Sequence, residues 1–120
     1  MSTTDFVNGL FKRLFFAGDK AGGIAAFENE IASDAVFEFN GNSQTKEQVF
    51  EAIKNLHANS TMKLNTLQDL AVAPGVVAQV AKSTVTMGGS AKEQTTVQIV
   101  KVEERGGKKV MTSLVMVQAA

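Results

Sequence analysis

Lys92–Gln118, KEQTTVQIVKVEERGGKKVMTSLVMVQ, reads as two long strands folded back on each other at Gly106-Gly107. Apolar residues occupy both alternating sets: Val97 and Ile99 against Val100 and Val102, and Leu114 and Met116 against Val115 and Val117. One face can pack on helices, and the other needs a cover of its own or leaves an exposed apolar patch. A second copy of the chain is the simplest cover, so the pattern predicts a homodimer through the sheet.

Upstream lie two more runs of the same kind. Strands are predicted at about 62–72, 76–87, 92–104 and 108–118, separated by Pro74-Gly75, Gly88-Gly89 and Gly106-Gly107. Short glycine turns imply an antiparallel meander, because parallel neighbours need a longer crossover.

The first half is helical. Thr4 or Asp5 can cap a helix to about Ala17, with Phe6, Leu10 and Leu14 on one stripe and Phe11 and Phe15 beside it. Gly18-Asp19 stops it, and Asp19 is placed to cap a second helix carrying Ile24, Phe27 and Ile31. A short strand, Ala35-Val36-Phe37-Glu38-Phe39, ends at Asn40-Gly41-Asn42. Thr45-Lys46-Glu47-Gln48 has the capping-box spacing and opens a third helix, with Val49, Phe50, Ile53, Leu56 and His57 on its buried side. Helices first and strands afterwards predict an α+β class, a curved antiparallel sheet packed against three helices. At 120 residues, without repeats or linkers, the expectation is one domain over 1–120.

Composition removes several functions. Twelve basic and twelve acidic side chains cancel and alternate along the chain, which argues against nucleic acid as a partner. No stretch approaches a membrane span, and the start lacks the pattern of a signal peptide, so the expected location is the cytoplasm, with no membrane partner. There is no cysteine and one histidine, His57, so neither a thiolate nor a multi-histidine metal site is expected. With no dinucleotide fingerprint either, no cofactor is implied. The aromatics are all Phe, so a cavity here would lack any phenol or indole donor.

The order of three helices with an inserted strand, then four long strands, resembles the nuclear transport factor 2-like superfamily, cone-shaped and cystatin-like. The local likeness is to its ketosteroid isomerase and SnoaL-like branch. It is carried by Phe11–Phe27 (FKRLFFAGDKAGGIAAF), Asp34–Gly41 (DAVFEFNG), Ile53–Ser60 (IKNLHANS) and the hairpin at Gly107-Lys108-Lys109-Val110. The resemblance implies a carboxylate base on the first strand, three residues before the glycine, where Glu38 stands. It implies a donor tyrosine on the first helix, where this chain has Phe11, and a second donor near Gln98. The supporting tyrosine of the third helix corresponds to His57. Phe11 cannot stabilise a developing oxyanion, so a steroid isomerase of the usual kind is not expected.

Each candidate has a plainer reading. Glu38 sits with Val36 and Asn40 opposite the phenylalanines; inward it is a candidate proton shuttle, outward a solvated strand residue. His57 can be a cavity acid or base, or a histidine favoured in a last helical turn. Asp34 is expected to end a loop, Asp69 to face solvent, and Gly22-Gly23 to be a flexible helix start. Two functions remain. In one, an apolar cavity shaped by Phe11, Phe15, Phe27 and Met116, with Gln98 and His57 as polar contacts, binds a small hydrophobic molecule, with isomerase or cyclase chemistry at Glu38. The other is a non-catalytic dimeric binding or assembly module.

Overall fold

In the computed structural model, which describes residues 2–119, the elements follow the order α1 (Thr3–Phe11), α2 (Lys20–Glu30), β1 (Ile31–Phe39), β2 (Asn42–Gln44), α3 (Lys46–Asn59), β3 (Thr61–Ala73), β4 (Val76–Met87), β5 (Ser90–Arg105) and β6 (Lys108–Ala119). A wider π turn, Lys12–Phe16, continues α1. The three helices pack on a six-stranded sheet of order β2-β1-β6-β5-β4-β3. The α+β class is as expected.

The sheet is mixed rather than wholly antiparallel. β3 to β6 form the expected meander, but β1 runs parallel to β6, pairing Phe37 with Leu114 and Phe39 with Met116. A parallel pair needs a long crossover, and everything from β2 to β5 supplies it.

Local chemistry accounts for the helix starts. Ser2 caps α1, its Oγ accepting from the Asp5 amide at 3.0 Å, in place of the expected Thr4 or Asp5. Asp19 caps α2, accepting from the Gly22 amide at 3.1 Å. At α3 the capping box is complete: the Gln48 amide donates to Thr45 Oγ1 at 3.1 Å, and the Thr45 amide to Gln48 Oε1 at 2.9 Å. Helix α2 ends one residue before Ile31, which opens β1, so that strand starts earlier than expected.

The core lies between helices and sheet. Phe6, Val7, Leu10, Leu14, Phe27 and Ile53 meet Phe37, Val77, Val100, Met111 and Leu114. Phe27 stacks on Phe37 with ring centroids 6.4 Å apart and touches Phe50 at 5.2 Å. Each such ring contributes roughly 1.5–3 kcal/mol by leaving water. Lys46 closes the back of this cluster, donating to the Ile31 carbonyl at 2.8 Å and standing 5.5 Å over the Phe27 ring. Partial burial pushes its amine below the ordinary lysine range, with Glu28 opposing. Among the described residues no helix is long and apolar enough to cross a membrane.

Candidate functional site

Five inward-facing residues stand abreast across the sheet, each the register partner of the next: Asp69 on β3, Gln79 on β4, Gln98 on β5, Met116 on β6 and Phe39 on β1. The row passes from carboxylate through two amides to apolar side chains. Above it, helices and sheet surround a cavity of about 870 Å³. Phe11, Phe15, Phe27, Ile53 and Leu56 come from the helical side, and Met62, Leu64, Leu67, Ala81, Met111 and Met116 from the strands. Exposed Lys12, Lys63, Met87 and Gln118 mark where the cavity meets solvent. Among the described residues, no three acidic or histidine side chains converge as a metal site would require.

The polar end of the row is hydrogen-bonded throughout. Asn8 Nδ2 donates to Asp69 Oδ2 at 3.2 Å. Gln79 Nε2 donates to Asp69 Oδ1 and to Asn8 Oδ1, both at 2.6 Å. Gln98 Nε2 donates to Gln79 Oε1 at 2.7 Å. The two glutamines are only 3% and 6% exposed, so each bond replaces one lost to water. An amide buried without a partner costs about 1–3 kcal/mol, which is what Asn8 and Asp69 prevent at Gln79. Asp69 is therefore engaged on the inner side, although its residue is exposed as expected.

No family model matches the chain, and no curated protein is similar to it in sequence. Solved structures are similar in shape. AusH from Aspergillus nidulans superposes with a TM-score of 0.77 at 12% identity, over 98% of this chain and 84% of that one. A candidate SnoaL-like polyketide cyclase from Shewanella denitrificans gives 0.75 at 12% identity, over 98% and 90%. A nuclear transport factor 2-like protein of unknown function from Cytophaga hutchinsonii gives 0.66 at 13% identity, over 99% and 91%. This chain has the nuclear transport factor 2-like fold. At such identities the likeness carries the fold and leaves the chemistry to the residues.

Within this nuclear transport factor 2-like cone, Phe11, Phe15, Phe27, Gln98 and Met116 all line the cavity. Glu38 and His57 do not, so the two residues assigned to proton transfer stand apart from the five assigned to ligand contact. Phe37 and Phe39 face inward, and strand alternation then turns Glu38 to the other face, beside Val115 and Ser43. His57 is held elsewhere. Its Nε2–H donates to the Leu14 carbonyl at 2.6 Å, one of the last carbonyls of the helical segment that lack a helical donor. The ring borders a separate hollow of about 230 Å³ beside Phe16, Ser60 and Thr61.

Asp34 lies within β1 rather than ending a loop, and accepts from Arg105 at 2.7 Å. The residues that sequence reading did not single out for the site are Asn8 and Gln79, together with the inward role of Asp69. One signal was available: Gln79 falls on the inward set of β4 with Val77 and Ala81, a polar residue in an apolar alternation.

Proposed function

We propose that this protein binds a small hydrophobic molecule within the cone and brings no carboxylate or imidazole to it. The observation that carries this is the lining of the 870 Å³ cavity: apolar over most of its extent, with exposed Lys12 and Lys63 as its ionisable members. That volume lies in the range of about 300–1,000 Å³ typical of small-molecule sites. Likeness in fold to a candidate polyketide cyclase supports a ligand of polyketide-like size. Isomerase or cyclase chemistry is the weaker form, because a base must come within about 3 Å of the proton it takes and Glu38 lies across the sheet from the cavity.

The test is binding of N-phenyl-1-naphthylamine, which fluoresces in apolar sites. Wild type is expected to bind it, and Ala81→Trp, which places an indole in the cavity, to lose most of that binding. Equal binding by both would overturn the reading. Glu38→Gln is expected to bind like wild type; loss of turnover in that variant on any identified substrate would restore the catalytic form.

A second reading concerns the outer face and supports a partner for the same fold. Leu70, Ala78, Ile99, Val115 and Glu38 form one outward row, and Val80, Val97 and Val117 the next. Val97, Ile99 and Val117 are 46%, 44% and 52% exposed. Lys82 and Lys101 flank the apolar rows and Glu38 ends one of them, so a two-fold contact can pair opposite charges at its edge. A second copy of this chain is the proposed cover.

A further inference from the structure

We infer that the cavity selects a ligand that donates a hydrogen bond, an apolar polycyclic molecule bearing a hydroxyl or N–H, and that Gln98 Oε1 is the atom that accepts it. The inference rests on the binding function proposed above and adds the polarity of the ligand to it. Amides are ambiguous partners, since each offers both a donor and an acceptor. A row of amides alone could run in either direction. Here one end is fixed by a carboxylate, which only accepts.

The polarity follows step by step from that end. Asp69 accepts from Asn8 Nδ2 and from Gln79 Nε2. With its Nε2 committed to Asp69 and Asn8, Gln79 has its oxygen left for the next residue, and Gln98 Nε2 donates to it. Gln98 therefore turns its nitrogen toward Gln79 and keeps its Oε1 for the cavity. No hydrogen bond to that oxygen occurs among the described residues, although Gln98 is 6% exposed and lines the cavity. Its neighbours in the row, Met116 and Phe39, offer no donor. Reversing Gln98 would set its oxygen against the oxygen of Gln79, and correcting that would require an N–H to leave Asp69. At Oε1 a ligand ketone meets the same repulsion and can be met only by the second N–H of Gln98, whereas a hydroxyl supplies the donor that Oε1 lacks.

Thr96, two residues along β5, and Ser83 on β4 also line the cavity, and each hydroxyl can both donate and accept. Neither carries a fixed polarity, so neither would favour a donor over an acceptor. Asp69 touches the ligand in neither case, since it is not among the residues lining the cavity. It acts as a positioning residue, through Gln79.

The experiment compares 1-hydroxypyrene with 1-methoxypyrene, matched in ring system and differing in whether the oxygen can donate, by fluorescence titration at pH 7. Wild type is expected to bind the hydroxyl compound about ten-fold more tightly, the effect of one satisfied hydrogen bond. Gln98→Leu is expected to erase that preference, the two compounds then binding with similar affinity. Asp69→Asn, at an exposed position, lets the relay run either way and is expected to reduce the preference, with circular dichroism reporting the fold of the variant. Equal binding of the two compounds by wild type, or a preference that survives both substitutions, would overturn the inference and leave the binding function standing. If wild type bound neither compound, the binding function would fall, and the inference with it.

Discussion

His57 Nε2 donates to the Leu14 carbonyl across 2.6 Å, joining the last turn of α3 to the helical segment that opens the chain. The bond is part-buried, and its partners lie 43 residues apart, so it ties two elements that no local bond connects. His57→Ala leaves the carbonyl without its donor and is expected to cost about 1–3 kcal/mol. Since the ring does not line the main cavity, probe binding by the folded variant is expected to match wild type. Urea denaturation and the naphthylamine titration read the two quantities separately. A variant of full stability but lost binding would return His57 to the site.

The same contact fixes the size of residue 23. A methyl group on Gly23 would stand 3.0 Å from the Arg13 carbonyl oxygen and 3.0 Å from His57 Nε2. The first of these is backbone, so it yields little. Gly9, in α1, is different: its added Cβ meets the flexible end of Arg13 at 3.7 Å, an ordinary contact. Alanine is a better helix former than glycine by about 1 kcal/mol. Gly9→Ala is therefore expected to raise the melting temperature by several degrees, and Gly23→Ala to lower it despite the same propensity gain. Calorimetry of the two variants at matched concentration decides this.

These examples show which parts of the molecule were legible in the sequence. The long strands and glycine turns were, because alternation and turn chemistry act over a few residues. So was the capping box of Thr45 and Gln48, whose partners are three residues apart. The parallel pairing of β1 with β6 was not, since it joins Phe37 to Leu114 across nearly the whole chain. The polar relay was missed for the same reason: Asn8 lies 61 residues from Asp69 and 71 from Gln79. Glu38 shows the limit most clearly. Alternation set it opposite Phe37 and Phe39, but which face turned inward depended on where the helices packed.

Asp34 provides a pH-dependent prediction. A hydrogen bond from Arg105 at 2.7 Å holds the Asp34 carboxyl below its ordinary range, with desolvation opposing it and the attraction of the Arg105 charge adding to it. A folded-state pKa below the unfolded value means that the unfolded chain binds more protons in that window. The pair's contribution is then present above about pH 3.9, the unfolded value, and is lost as pH falls through the lower folded value. Arg105→Gln is expected to move the Asp34 midpoint up toward about 3.9, read by carboxyl-carbon NMR titration. The stability gap between the two proteins should close in acid. Both groups are exposed, so that gap will be small at neutral pH.

Ile99 and Val100 are adjacent on β5 and face opposite ways, which lets one strand test both surfaces. Val100 is fully buried against the helices, and Val100→Asp is expected to prevent folding. Ile99 is 44% exposed and lies between Ala78 and Val115 near the middle of the outer patch. In an isolated chain Ile99→Asp puts a carboxylate where water already reaches, so the monomer's stability should change little. In a dimer it buries an unpaired charge at the contact, once per subunit, which costs several kcal/mol in all. Light scattering after size exclusion at micromolar concentration is therefore expected to give twice the chain mass for wild type and the chain mass for Ile99→Asp, with similar circular dichroism. Wild type eluting as a monomer would remove the second copy as the cover of this face. An Ile99→Asp protein that stayed dimeric would place the contact away from the Val97, Ile99 and Val117 patch.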